Sequence, residues 1–182
     1  MRVLAFSGSL RKESFNTGLV RAAAEVAPAG VEIELYDGLG ALPHYDADLD
    51  VGDGPATVAE LRERIVDADA LLFASPEYNG SIPGVLKNAV DWASRPRGES
   101  ALRGKPALVI GTSTGAYGGL WAQAELRKVL GIAGARPLEE GLAVPRAGQS
   151  FDADCRLLDA SARSRLAALV GELTLVSEPL AA

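Results

Sequence analysis

Short apolar runs alternate along this chain with stretches whose apolar positions fall three and four residues apart. The runs have strand length, and the stretches between them carry helical periodicity. The first run is Arg2 to Phe6, followed by a polar loop from Ser7 to Asn16. A helix is predicted through Leu19, Val20, Ala23, Ala24 and Ala27, ended by Pro28 and Gly30. Val31 to Leu35 alternates with period two, as a strand with one less buried face does. Val58, Leu61 and Ile65 mark a second helix, with Glu60 and Arg64 spaced for an i,i+4 ion pair. Ala70 to Ala74 reads as a buried strand, and Pro83 to Trp92 as a helix with proline near its first turn. Ala107 to Gly111 is the next strand, followed by a helix through Leu120, Ala124 and Leu130. A weaker strand is expected near Gly141 to Val144. The last helix is predicted from about Asp152, with Leu158, Ala162, Leu166, Leu169 and Leu173 on one stripe.

Five strands joined by helices predict an α/β three-layer sandwich. Its five-stranded parallel sheet would have the flavodoxin-like order 2-1-3-4-5, in a single domain over residues 1–182. In that order ligands sit at the carboxyl edge, where the connections from strands 1 and 3 diverge. The loops after strands 1, 3 and 4 are therefore expected to converge on one site. Asp37 to Gly54, rich in Gly, Pro and Asp, reads as a long binding or interface loop.

Composition narrows the partners. With 18 Lys and Arg against 24 Asp and Glu, the formal charge is −6, which argues against general nucleic-acid binding. One cysteine, Cys155, excludes an intrachain disulfide framework, and no Cys/His cluster offers a zinc site. No basic segment precedes an apolar run, and no run approaches the roughly 20 apolar residues of a membrane span. A cytoplasmic enzyme with no membrane partner is the expectation.

The first loop, Gly8 to Asn16, runs into a helix, whose free N–H groups and positive dipole end favour an anion. Ser7, Ser9, Ser14 and Thr17 add hydroxyls, Asn16 an amide and Arg11 a guanidinium able to grip a phosphate through two bonds. This set suits a phosphate monoester. It suits equally a helix merely capped by Ser14 or Asn16 beside a solvated Arg11. Neither the Walker nor the GxGxxG spacing is present, which speaks against a nucleoside triphosphate or a dinucleotide here. The second loop, Ser75 to Gly84, sets a stiffening Pro76, an aromatic Tyr78 and a close-approach Gly80 around Glu77 and Asn79. Such a wall fits a planar heterocycle. The third, Gly111 to Gly119, brings hydroxyls, glycines and Tyr117 to the same edge, where Tyr117 can cover a ring or stack on a nicotinamide.

In Gly8-Ser-Leu-Arg-x-x-Ser-x-Asn16, Pro76-Glu-Tyr-Asn-Gly80 with Pro83 to Trp92, and Gly118-Gly119 followed by Ala122-Gln123 and Leu126-Arg127, the chain resembles the NAD(P)H-dependent FMN reductase family, especially its quinone and chromate reductase branch. The matching stretches run from Met1 to about Leu130. The resemblance implies noncovalent FMN as cofactor and NADPH or NADH as co-substrate. It also implies a small-molecule electron acceptor such as a quinone or flavin, and a homodimer or homotetramer. It places the FMN phosphate at Ser9, Arg11, Ser14, Asn16 and Thr17. The isoalloxazine falls against Pro76, Glu77, Tyr78, Asn79 and Gly80, with Ser113, Gly115 and Tyr117 beyond. Where the family's third loop often has Pro or Ala, this chain has Thr114. The interface candidates are the Asp37–Gly54 loop and the Lys87–Trp92 helix.

With flavin carrying the hydride chemistry, no catalytic side chain is required. His44, the one histidine, reads as a surface residue, Cys155 as structural, and Glu77 as loop-shaping rather than acidic. The expected cycle is ping-pong. A flavodoxin-type electron carrier shares the fold and FMN, and differs in not oxidising NAD(P)H by itself.

Overall fold

A computed structural model of the protein describes residues 1–177 and contains a wholly parallel sheet. Strands β1 (Arg2–Ser7), β2 (Glu32–Tyr36), β3 (Ala70–Ala74) and β4 (Pro106–Thr112) lie in the order 2-1-3-4. The fifth position is filled by two pieces: β5 (Arg136–Pro137) beside the start of β4, and β6 (Leu142–Val144) beside its end. The expected weak strand is therefore β6, with a second short piece before it. Between them the chain passes so near β4 that a Cβ at Gly141 would stand 2.2 Å from the Val109 carbonyl oxygen.

Crossover helices cover both faces. On one side α2 (Ala56–Asp67), α3 (Gly84–Ala93) and α4 (Leu120–Ile132) pack on Leu4, Phe6, Leu71, Phe73 and Val109. On the other, α1 (Phe15–Glu25) and α6 (Ala160–Ser177) pack on Val3, Ala5, Leu72, Leu108 and Ile110. A one-turn helix, α5 (Ala147–Ser150), and a 3-10 turn over Gly38–Ala41 complete the elements. β3 and β4 are buried along their whole length, which explains why they read as unbroken apolar runs. Edge strand β2 alternates instead.

Four sequence expectations change. Arg64 pairs with Glu34 on β2 at 2.7 Å, not with Glu60, because α2 lies along that edge. The buried face of α4 is Ala122, Gln123, Leu126 and Leu130, while Leu120 and Ala124 face water. Gly118 and Gly119, both at positive φ, set the phase at which the helix enters. Helix α1 ends at Glu25, short of Ala27. The last helix begins at Ala160 rather than near Asp152. The Asp152 carboxylate instead accepts the N–H groups of Asp154 and Arg156, holding a turn that ends in a Phe151–Leu157 bridge. Asp159 then caps α6 by accepting from the Ala162 N–H. Cys155 is a buried free thiol in that turn, and its carbonyl lies where a Cβ on Gly18 of α1 would sit. Leu158, placed on the α6 stripe by the sequence, is exposed.

Candidate active site

At the carboxyl edge of β1, β3 and β4 the three loops meet in a groove of about 170 Å³. It is lined by Ser9, Arg11, Ser14, Phe15 and Asn16 from the first, Pro76, Glu77 and Tyr78 from the second, and Thr112, Ser113 and Thr114 from the third. Its floor is the junction of the first two loops. The Gly8 N–H donates to the Ala74 carbonyl at 2.9 Å, and a Cβ at Gly8 would meet Pro76, Leu86 and Pro83 at 3.0–3.2 Å. Only glycine leaves those prolines in place.

The first loop ends where the Ser14 hydroxyl accepts the Thr17 N–H at 3.2 Å, capping α1 and leaving its own hydrogen free to donate. The first-turn N–H groups of α1 have no carbonyl within the helix to reach. Arg11 is exposed at the rim, its Nε donating to the Glu13 carbonyl at 2.9 Å and its guanidinium resting on the Phe15 ring. Thr17 turns inward and donates to the Ser7 hydroxyl at 2.8 Å, so it supports the loop from beneath. The Asn16 carboxamide is spent as a strut: its Nδ2 donates to the Thr112 carbonyl and its Oδ1 accepts the Thr112 N–H, both at 3.1 Å. Of Asn16, the backbone is what remains for a ligand.

In the second loop, Glu77 points away from the groove's centre. Its Oε2 accepts the N–H groups of Trp121 and Ala122 at 3.0 and 3.1 Å, so the carboxylate sits at the positive end of α4. Asn79 and Gly80, both at positive φ, form the turn that lets Tyr78 and Ser81 exchange backbone hydrogen bonds of 3.0 and 3.1 Å. The third loop is held from outside. The Thr112 hydroxyl donates to the Val144 carbonyl, the Ala147 N–H to the Ser113 carbonyl and the Arg146 N–H to the Gly115 carbonyl. Tyr117 stands beyond the groove, 5.0 Å from the Trp121 ring.

Ser9, Arg11, Ser14, Asn16, Pro76, Glu77, Tyr78 and Ser113 thus line one groove, whereas Thr17, Asn79, Gly80, Gly115 and Tyr117 flank or support it. Phe15 and Thr112 were not singled out from sequence. The first looks like a core position of an amphipathic helix, and the second like the end of a buried strand. Groups with displaced pKa values lie elsewhere. Burial and Glu60 push Tyr36 up, and burial pushes Lys105 and Arg127 down. Among the described residues no group of His, Cys, Asp and Glu is arranged to hold a metal. The donor set fits a phosphate monoester: hydroxyls, helix N–H groups and one guanidinium, with the one carboxylate among the lining residues, Glu77, already engaged.

A groove of this kind, at the strand 1/strand 3 divide of a 2-1-3-4-5 parallel sheet, is the ligand edge of a flavodoxin-like α/β fold. Residues 1–149 match the family described as NADPH-dependent FMN reductase, and the chain belongs to that family. It is 45% identical over 164 residues to an NAD(P)H-dependent FMN reductase of Pseudomonas aeruginosa, covering 90% of this chain and 88% of that one. It is also 48% identical over 129 residues to a 2-hydroxy-1,4-benzoquinone reductase of a Burkholderia species, covering 71% and 69% of the two chains. Among solved structures, the flavoenzyme NAD(P)H:(acceptor) oxidoreductase FerB of Paracoccus denitrificans superposes with a TM-score of 0.86 at 37% identity, covering 97% of each chain. The activity is accordingly that of an NAD(P)H-dependent FMN oxidoreductase, as distinct from a flavodoxin-type carrier.

Proposed function

We propose that the chain acts as a single domain that holds FMN in this groove and passes electrons from NADPH or NADH to quinones, flavins or similar acceptors in a ping-pong cycle. The observation that carries this reading is the convergence of three loops on one groove whose first loop brings hydroxyls, a guanidinium and a helix N-terminus together. Ser9, Ser14, Arg11 and the first turn of α1 would hold the phosphate, and Pro76 to Tyr78 with Ser113 and Thr114 would flank the ring system. When bound, FMN supplies the hydride chemistry. The residues of the chain orient it: Asn16 ties the phosphate loop to the third loop, and Glu77 ties the ring loop to α4.

Quinone acceptors are supported by the Burkholderia relative's name and by quinone reductases of Pseudomonas putida and Escherichia coli at 46% and 44% identity. A homodimer or homotetramer is the assembly that the family resemblance implies, and a cleft of about 750 Å³ lies between the carboxyl ends of α3 and α4. Lys87, Val90 and Asp91 of the predicted interface helix line it, beside Arg95, Arg97 and Ile132. No helix among the described residues is long and apolar enough to cross a membrane. A single buried, unpaired cysteine suits the cytoplasm.

An absorbance spectrum of the purified protein tests the proposal. A flavin spectrum that bleaches on adding NADPH or NADH, and parallel double-reciprocal lines with menadione, are expected. A colourless protein that fails to take up FMN, or a yellow one that neither nicotinamide bleaches, defeats it.

A further inference from the structure

We propose that Tyr117 and Trp121 form a preorganised aromatic shelf beside the flavin groove that selects planar, uncharged ring acceptors over small inorganic oxidants. The inference rests on the FMN placement proposed above and deepens it by naming the class of acceptor and the residues that choose it.

Ten aromatic rings occur in the chain, and among the described residues only three are exposed: Tyr78 at 54%, Tyr117 at 61% and Trp121 at 54%. All three gather around Glu77. Tyr78 follows it in the chain and lines the groove. Trp121 gives its backbone N–H to the Glu77 carboxylate at 3.0 Å. The Tyr117 ring lies 5.0 Å from the Trp121 ring at an interplanar angle of 49°. Isolated exposed apolar residues are ordinary on a protein surface, but a chain whose exposed Tyr and Trp rings all lie at one edge has concentrated its stacking capacity there.

The shelf is also held rigid. Gly118 and Gly119, at φ of 61° and 79°, turn the chain sharply between the two rings. A Cβ at Gly118 would lie 2.7 Å from the Val144 nitrogen, and one at Gly119 would lie 3.3 Å from the Ser75 carbonyl oxygen. The turn is thus pressed between β6 and the second loop, and the Leu120 N–H closes it on the Tyr117 carbonyl at 3.2 Å. Little backbone freedom is left to lose when a flat ligand stacks on either ring.

Such a surface discriminates by shape and charge. A fused-ring quinone gains apolar contact and aromatic stacking, and the indole N–H of an exposed tryptophan is a ready donor for a quinone carbonyl. A multiply charged, near-spherical oxidant such as ferricyanide has no face to stack. In the reaction, NAD(P)H, one proton from solvent and the quinone become NAD(P)⁺ and the hydroquinone, so the shelf positions the acceptor and contributes no electrons or protons.

The test uses the FMN-loaded protein with its flavin reduced photochemically, which bypasses the nicotinamide. Rate constants for reoxidation by menadione and by ferricyanide are measured in rapid mixing, alongside flavin content and sedimentation mass. The menadione-to-ferricyanide ratio is expected to fall roughly tenfold in Trp121→Ala, to fall less in Tyr117→Ala, and to recover to within about twofold of wild type in Trp121→Phe. An unchanged ratio in Trp121→Ala overturns the shelf, whether both rates hold or both fall together. A change of sedimentation mass in that variant also overturns it and assigns the rings to contact between copies of the chain. Failure of the flavin reading is separate, since it appears in the wild type as absent FMN or absent bleaching by NAD(P)H.

Discussion

Asn16 and Thr112 exchange two hydrogen bonds, carboxamide to backbone, each 3.1 Å long. Both residues are buried, so the pair acts as a bolt between the first loop and the end of β4. Replacing Asn16 by Asp leaves an acceptor for the Thr112 N–H but sets a carboxylate oxygen against the Thr112 carbonyl. Asn16→Asp is expected to destabilise the fold by about 2 kcal/mol, read by urea unfolding, and to weaken FMN binding. Equal stability and FMN affinity would remove the bolt from the site's construction.

Arg11 poses the opposite case, an exposed side chain with its Nε on the Glu13 carbonyl. Arg11→Ala should leave the unfolding midpoint near that of wild type while raising the FMN dissociation constant by roughly tenfold or more, measured by flavin fluorescence quenching. Unchanged affinity would place the phosphate elsewhere.

Glu77 caps a helix from a distance of 44 positions in the chain. Glu77→Gln keeps an acceptor and loses the charge, and should cost about 1 kcal/mol; Glu77→Ala should cost about 2 kcal/mol. Denaturant unfolding of both variants gives the order. If Glu77→Gln unfolds as readily as Glu77→Ala, the charge at the end of α4 is what matters and the hydrogen bonds are secondary.

Arg62 fastens the Asp37–Gly54 loop. Its Nη2 pairs with Asp50 at 2.8 Å, and the same group donates to the Trp92 carbonyl at 3.1 Å, with both side chains about 15% exposed. Trp92 Nε1 and Asn88 Nδ2 then donate to the Pro43 carbonyl. Arg62→Ala leaves Asp50 unpaired and should cost about 2 kcal/mol, with faster proteolysis between residues 46 and 55. An intact cleavage pattern would show that Asn88 and Trp92 suffice.

Lys105 donates to the Val66 and Ala68 carbonyls at the end of α2, and burial lowers its pKa. A lysine whose folded pKa is depressed binds fewer protons folded than unfolded in the interval between that value and its ordinary value of about 10.4. Its contribution to stability therefore rises with pH across that interval. Relative to Lys105→Met, the wild type should gain stability as pH is raised towards the ordinary lysine value in urea titrations. A constant difference would contradict the sign.

Sequence periodicity carried the sheet well, because β3 and β4 are buried on both faces and cannot be anything but apolar. It failed where phase or side-chain competition decides. Leu120 and Ala124 satisfy a helical spacing as well as Ala122 and Leu126 do, and only the turn at Gly118-Gly119 selects between them. Asp152 looks like a helix start and instead holds a turn with its carboxylate. Within the site, residue types announced an anion, but their division of labour did not. Asn16 and Thr17 carry the right polar atoms and spend them on Thr112 and Ser7. No local pattern announces a partner 96 positions away.

The strand order has a consequence for how the protein comes into being. β1 meets β2 and β3 within the first 74 residues, so half the sheet can assemble while the rest of the chain is still being made. The groove's third wall belongs to β4, which ends at Thr112. A nascent chain must therefore expose that strand, and then β6 to brace it, before it offers a complete cradle for the cofactor. On the proposed placement of FMN, flavin capture follows the emergence of β4, and a polypeptide cut short before Thr112 lacks one wall of the site.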